Sequence, residues 1–243
     1  MKRRDFMLAS TAVGAGLATS RMSGADAPED DEKEEWTAER VLQELIAGNE
    51  RFVRGKPERP HMTEDWLQRL TEGQQPMATI LSCSDSRVPL ELLFDVGFGD
   101  LFVIRVAGNV VTRYGIGSME YAQHHLRTPL YIVLGHEGCG AVTAAMLPKS
   151  KRDQEPKGVR QLLDLGHVGK VDSTADAKAK VASAVATNSR HSAKQLVELD
   201  PKEEGFHLLK NEMIVSAVYE LSPGRVRILD KHQDPRCPLI HQR

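Results

Sequence analysis

Two short stretches of this chain carry residue types that can do chemistry together, Cys83-Ser84-Asp85-Ser86-Arg87 and His136-Glu137-Gly138-Cys139-Gly140. Two thiolates and one imidazole make a soft donor set. Three protein ligands with a fourth position left open are the pattern of catalytic zinc. Asp85, just beyond Cys83, can supply the fourth ligand or hold its place, and Arg87 can pair with that carboxylate. Gly135, Gly138 and Gly140 let the backbone turn tightly around an ion. Plainer readings stand beside each residue. A buried cysteine is usually a small core hydrophobe. A lone histidine is more often a hydrogen-bonded core residue, and an exposed Asp–Arg pair contributes little. A Cys83–Cys139 disulfide is a further option. The conjunction of both stretches is what points to a metal.

The elements around these stretches must bring them together. Met77 to Cys83 (MATILSC), Leu101 to Val106 (LFVIRV) and Leu130 to Leu134 (LYIVL) read as short buried strands. Helical patterns separate them: one opened by Pro89, one over Ser118 to Leu126, and one starting at Gly140 and running to Leu147. Strands alternating with helices imply crossover units and a parallel sheet. Ligand sites in such sheets lie outside the carboxyl ends of the strands, where both stretches fall. Trp36 to Val53 has apolar residues at helical spacing, an amphipathic helix to pack on the body or on a neighbouring subunit. Residues 148–212 are polar and mostly helical, with the longest helix over Ala175 to Leu199. Met213 to Leu221, the turn Ser222-Pro223-Gly224 and Arg225 to Leu229 read as a β-hairpin. The expected fold is therefore α/β, a mostly parallel central sheet flanked by helices, with a C-terminal antiparallel hairpin and an N-terminal helical arm.

Composition narrows the function. The 243 residues carry a formal charge of −2 and only 5% aromatics, with no basic stripe, so nucleic acid is not an expected partner. Three cysteines, Cys83, Cys139 and Cys237, are a poor disulfide framework. Gly97-Phe98-Gly99 precedes a strand and lacks the third glycine of a dinucleotide fingerprint, and there is no P-loop. Residues 1–27 have a basic start with paired arginines (Lys2-Arg3-Arg4), a weakly apolar run from Leu8 to Leu17, and an Ala25-Asp26-Ala27 cleavage pattern. The run is too short for a membrane span. The segment resembles a twin-arginine export signal, which implies a periplasmic protein with no stable membrane insertion after cleavage. Such a route carries folded proteins, so thiolates can take up zinc in a reducing cytosol before export. Residues 28–35 (PEDDEKEE) form an acidic linker, and residues 36–243 read as one domain.

CSDSRVP, then LFVIRVAGN, then GHEGCGAV together resemble the β-class carbonic anhydrases, and the likeness extends from about Trp36 through the hairpin. It is weakest over residues 148–212. The resemblance implies one Zn2+ per subunit on Cys83, His136 and Cys139, with Asp85 either on the metal or paired with Arg87. It implies reversible hydration of carbon dioxide to bicarbonate and a proton by a zinc-bound hydroxide, with Asp85 and Arg87 catalytic. A water acidified by zinc predicts activity that rises with pH. Gln74, Phe102 and Tyr121 match the family's substrate-pocket positions, with a pocket shared across subunits. That sharing implies a homodimer or homotetramer. His61, His124 and His125 are proton-shuttle candidates by type alone. Some relatives carry an inhibitory bicarbonate site marked by a tryptophan where this chain has Ile80, so no such site, and no inhibition through Arg105, is expected here.

Two other functions stay open on the residues. A hydrolase of carbonyl sulfide or carbon disulfide would use the same zinc set with a different pocket. A non-enzymatic zinc-binding or redox module would use Cys83 and Cys139 but has no use for an adjacent Asp-x-Arg pair beside a glutamine-bearing pocket.

Overall fold

The computed structural model describes residues 36–170, 172, 174–199 and 206–233. The twin-arginine stretch, the acidic linker and Cys237 lie outside the described residues. The strands are β1 (Ala78–Ser82), β2 (Leu101–Arg105), β3 (Leu130–His136), β4 (Met213–Glu220) and β5 (Arg225–His232). They form one sheet in the order β2-β1-β3-β4-β5. β1 runs parallel to β2 and to β3, β3 runs parallel to β4, and β5 closes antiparallel on β4. The expected parallel sheet with a terminal hairpin is the observed architecture.

Burial explains why the central strands read as unbroken apolar runs. Every residue of β1 and β3 is buried, as strands covered on both faces must be. Alternate side chains go to opposite faces. Ala78, Ile80, Leu130, Ile132, Leu134, Met213 and Val215 pack beneath α1 (Ala38–Val53) and α3 (Leu90–Leu93). Leu81, Tyr131, Val133 and Ile214 face α4 (Arg113–Tyr121) and the later half of α8 (Ala177–Val197). Shorter helices α2 (Glu64–Leu70), α5 (Gly140–Ala145), α6 (Lys149–Arg152) and α7 (Lys157–Leu165) complete the layers.

The helical spacing over 36–53 is realised as α1, started by Thr37, whose hydroxyl accepts from the Arg40 N–H at 3.3 Å. Its apolar face belongs to this chain's own core. Val41, Leu42 and Leu45 are buried, which stabilises the attachment by on the order of 5 kcal/mol. Asn49 fastens the C-terminal end of α1. Its Nδ2 donates to the Leu93 and Gly224 carbonyls at 2.9 and 3.0 Å, and its Oδ1 accepts from the Val226 N–H at 2.8 Å.

Several boundaries differ from the sequence reading by a few residues, β5 for one running on to His232, and two of the differences bear on the site. The helix expected over Ser118 to Leu126 begins earlier, at Arg113, capped by the Thr112 hydroxyl on the Gly115 N–H at 3.1 Å. It then widens into a π-helical turn, Ala122–Leu126, and ends where Arg127 takes a left-handed φ of 56°. β3 continues past Leu134, so that His136 is the last residue of the strand itself.

Candidate metal centre

The two chemistry-bearing stretches converge because their strands are neighbours. β1 and β3 pair in parallel with Ser82 beside Leu134, so Cys83 and His136 leave adjacent strand ends at the same edge. Cys139 follows one turn later as the residue capping α5, reached through Gly138 at φ 64°.

The donor atoms of Cys83, His136 and Cys139 all lie within 4.8 Å of one another, and all three residues are buried. The two Sγ atoms are 3.9 Å apart. That is far beyond a disulfide bond of ~2.05 Å, and both cysteines are free. It is close to the ~3.8 Å edge of a tetrahedron with metal–sulfur bonds of ~2.3 Å. His136 accounts for the rest of the fit. Its Nδ1 sits 3.0 Å from the Glu137 carbonyl oxygen, which places the proton on Nδ1 and the lone pair on Nε2. Nε2 is buried and has no hydrogen-bond partner. A buried nitrogen left bare beside two thiols is what a metal ligand looks like before the metal is counted.

Charge at the cluster is set by hydrogen bonds. Cys83 is drawn well below the ordinary thiol range, first by the Cys139 thiol donating to it, then by His136 and the backbone N–H groups of Gly108 and Asp85, against its burial. The Gly108 N–H reaches Cys83 Sγ at 3.2 Å. Cys139 is pushed up, because its proton is the one shared with Cys83 and because it is buried. An ion that replaces that proton relieves both conditions.

Asp85 is turned toward Arg87. The guanidinium holds it by a fork, Nε to Oδ1 at 2.9 Å and Nη2 to Oδ2 at 2.8 Å, and the Arg87 backbone N–H adds a bond to Oδ1 at 2.9 Å. This pairing keeps the carboxyl well below the usual carboxylate range. Asp85 Oδ2 is still only 3.7 Å from His136 Nε2. The carboxylate therefore stands at the mouth of the cluster, within a side-chain rotation of it. Arg87 Nη2 also reaches the Gly138 carbonyl at 3.3 Å, tying the two stretches together.

The substrate-pocket residues are placed differently. Phe102 and Tyr121 come together, stacked with ring centroids 6.0 Å apart, and Tyr121 also meets His125 at 4.8 Å. Tyr121 is 45% exposed. Gln74 is exposed in the segment before β1. Of the shuttle candidates, His124 and His125 are exposed on the π-helical turn. His61 is engaged structurally, with Nδ1 2.8 Å from Asp100 and its ring stacked on Trp66 at 3.9 Å. Ile80 is fully buried in the sheet core. Arg105 is committed to the loop after β1, donating from Nε to the Cys83 carbonyl at 3.1 Å and from Nη2 to the Asp85 carbonyl at 2.5 Å.

That role of Arg105 was not apparent from sequence, nor was the Gly108 N–H on Cys83 or the part played by Asn188 on α8. A signal for the first two existed in Arg105-Val106-Ala107-Gly108, since a strand ending in a turn with glycine suits a backbone N–H brought close to a ligand atom. Nothing local marks Asn188. Around the thiols the walls are apolar: Val142, Ala184, Val185 and Val218.

Comparison with known proteins agrees with this geometry. The carbonic anhydrase family pattern matches residues 78–226. Over 102 residues the chain is 52% identical to Carbonic anhydrase 2 of Mycobacterium tuberculosis, covering 42% of this chain and 49% of the relative. Over 120 residues it is 42% identical to the carbonic anhydrase of Mycolicibacterium smegmatis, covering 49% and 58%. The chain thus spans about half the length of the curated relatives it matches. Among solved structures, the β-carbonic anhydrase CcaA aligns with a TM-score of 0.58 at 28% identity, over 78% of this chain and 87% of that one. The Coccomyxa β-carbonic anhydrase, solved with acetazolamide, has a TM-score of 0.59 at 19% identity, over 80% and 84%, and shows the shared fold. With its sheet order, its Cys-His-Cys cluster and its matched residues in agreement, this chain belongs to the β-class carbonic anhydrase family.

Proposed function

We propose that this chain is a zinc enzyme that interconverts carbon dioxide and bicarbonate, with one ion per subunit held by Cys83, His136 and Cys139. The observation that carries the reading is the bare, buried Nε2 of His136 facing two free thiols, with the forked Asp85–Arg87 pair at the cluster's mouth. When bound, zinc supplies a Lewis acid that acidifies a water at its fourth position.

The chain's own residues supply the rest. Asp85, ionised and held in direction by Arg87, can only accept hydrogen bonds, so it orients a water beside the cluster with one O–H toward the carboxylate and a lone pair away from it. Arg87 prevents the carboxylate from swinging the remaining distance to the ligand set. Val142, Val185 and Val218 give the neighbourhood an apolar wall suited to a small uncharged gas. Asp85 could also take the metal's fourth position by releasing Arg87, which would close the site.

Gln74, Phe102 and Tyr121 complete the substrate pocket in this reading, contributed across a subunit boundary in a homodimer or homotetramer. The stack of half-buried Phe102 on exposed Tyr121 supports it, as does Gln74 lying at the surface. One β-carbonic anhydrase pair of similar fold, from Sordaria macrospora, is described as tetrameric. A mixture of Gln74→Ala and Asp85→Asn subunits should regain part of the activity each has lost. We further propose export by a twin-arginine route to the periplasm, for which cell fractionation with N-terminal sequencing is the check. Among the described residues no helix is long and apolar enough to cross a membrane.

The deciding experiment is stopped-flow carbon dioxide hydration with metal analysis on the same sample. Near-stoichiometric zinc with hydration, both lost in Cys139→Ser, supports the reading. Zinc without hydration at about pH 9, where the acidified water is fully ionised, would sink it in favour of a non-enzymatic zinc module.

A further inference from the structure

Asn188 lies on α8, far from both ligand stretches in sequence, and is 1% exposed. Both ends of its side-chain amide are engaged. Nδ2 donates to the Gly108 carbonyl at 2.8 Å, and Oδ1 accepts from the His167 N–H at 2.9 Å. Gly108 in turn aims its own N–H at Cys83 Sγ, 3.2 Å away. Gly108 adopts φ 75° and ψ 13°, a left-handed conformation that glycine leaves at little cost, and a Cβ there would press on Ala141 at 3.3 Å. The residue carrying the donor is therefore the one least able to hold itself in place. Its carbonyl needs an external anchor, and Asn188 supplies it.

We infer that Asn188 is a positioning residue for the metal centre, which acts through Gly108 by fixing the N–H that donates to the Cys83 sulfur. The inference rests on the zinc reading above and extends it from the ligands to what holds them. An N–H to a thiolate is a charge-assisted bond. It disperses negative charge on a sulfur that must share electrons with the ion, and it fixes the sulfur's direction. The choice of amide at 188 follows, because only a side chain with both a donor and an acceptor can hold the Gly108 carbonyl and the His167 N–H at once. Asn188 thereby couples three segments, the turn after β2, the loop after α7 and α8, to one ligand atom.

The test uses the full chain, loaded with zinc or with cobalt(II). Asn188→Asp keeps size and the acceptor for His167 but sets an oxygen against the Gly108 carbonyl. Asn188→Leu removes both functions. Zinc affinity, measured by competition with a chromogenic chelator, should fall between about 10- and 100-fold in each, as for other outer partners of metal ligands. The sulfur-to-cobalt charge-transfer band should move in both. Ser192→Ala, at an equally buried position on α8, should change neither. If Asp and Leu both prevent folding, Asn188→Ser, too short to reach Gly108, is read in the same way. A folded position-188 variant with wild-type affinity and an unmoved band would overturn the inference. Wild-type protein that takes up neither metal would instead overturn the proposed function, so the two failures are distinguishable.

Discussion

Arg87 offers the sharpest perturbation, because two explanations for its role differ in magnitude. The Asp85–Arg87 pair is partly open to solvent, with Arg87 51% and Asp85 19% exposed at the side chain. Arg87 is the main cause of the low Asp85 pKa. If Arg87 mattered by keeping Asp85 charged, its removal would return the carboxyl toward an ordinary value of about 3.9. At pH 7 such a group is still protonated only about 0.1% of the time. Protonation therefore costs essentially no activity. What removal does change is direction. The fork and the backbone N–H together fix both carboxylate oxygens, and Oδ2 lies only 3.7 Å from His136 Nε2. Released, the carboxylate can turn onto the ligand set or swing into solvent, a displacement of an ångström or more.

Displacements of that size cost on the order of 100-fold in rate. Arg87→Ala should therefore lower kcat/KM for carbon dioxide hydration by roughly 100-fold with zinc content unchanged. Arg87→Lys retains the charge but not the fork. It should fall between wild type and Arg87→Ala. Stopped-flow assays at about pH 7 and about pH 8.5 with metal analysis decide the matter. Activity of Arg87→Ala within about twofold of wild type would refute the orienting role. Recovery of the loss at the higher pH would show that protonation, and not direction, was at stake.

Other perturbations read other parts of the chain. Asn49→Ala strands the Leu93 and Gly224 carbonyls and the Val226 N–H. It should cost about 2–3 kcal/mol, seen as a lower urea midpoint at unchanged slope. Glu212, raised above its ordinary pKa mainly by burial, holds its proton longer folded than unfolded. Stability should therefore decline as pH rises from the ordinary carboxylate pKa through the raised one, and Glu212→Gln should remove that decline in urea titrations at about pH 5 and about pH 8. Hydration should increase from about pH 6.5 to about pH 9 with no limb from Asp85, which stays ionised throughout; a flat or falling profile would count against an acidified water.

How far the sequence revealed this arrangement depended on range. β1 and β3 were legible because strands buried on both faces read as continuous apolar runs, and the ligand residues stand directly at their ends. α1 was legible from its spacing, but whether it covers this chain or a partner was not, since an apolar stripe does not name its complement. The π-helical turn at Ala122–Leu126 is indistinguishable from ordinary helix in the sequence, because an extra residue in a turn leaves the local composition unchanged. The pairing of β1 with β3 was beyond local pattern altogether. Parallel neighbours are joined through a crossover, and nothing in either strand states which strand it will lie beside.

The same division runs through the site. Cys83, Asp85, Arg87, His136 and Cys139 declare themselves by short spacing, because each stretch makes one turn around one point. The groups that hold those turns come from elsewhere: Arg105 on β2 takes the Cys83 and Asp85 carbonyls, Gly108 gives its N–H to Cys83, and Asn188 on α8 holds Gly108. A motif can therefore specify donor atoms without specifying how firmly they are aimed. Transplanting CSDSR and HEGC onto another parallel sheet would carry over the three ligands and the Asp–Arg fork. It would leave the Cys83 carbonyl unpaired and the Gly108 bond to the Cys83 sulfur unmade, so under the proposed zinc reading the graft should hold the ion more weakly than the native cluster. Adding back the equivalents of Arg105, Gly108 and Asn188 should restore affinity, since Arg105 holds the Cys83 and Asp85 carbonyls and Asn188 holds the glycine whose N–H reaches the Cys83 sulfur.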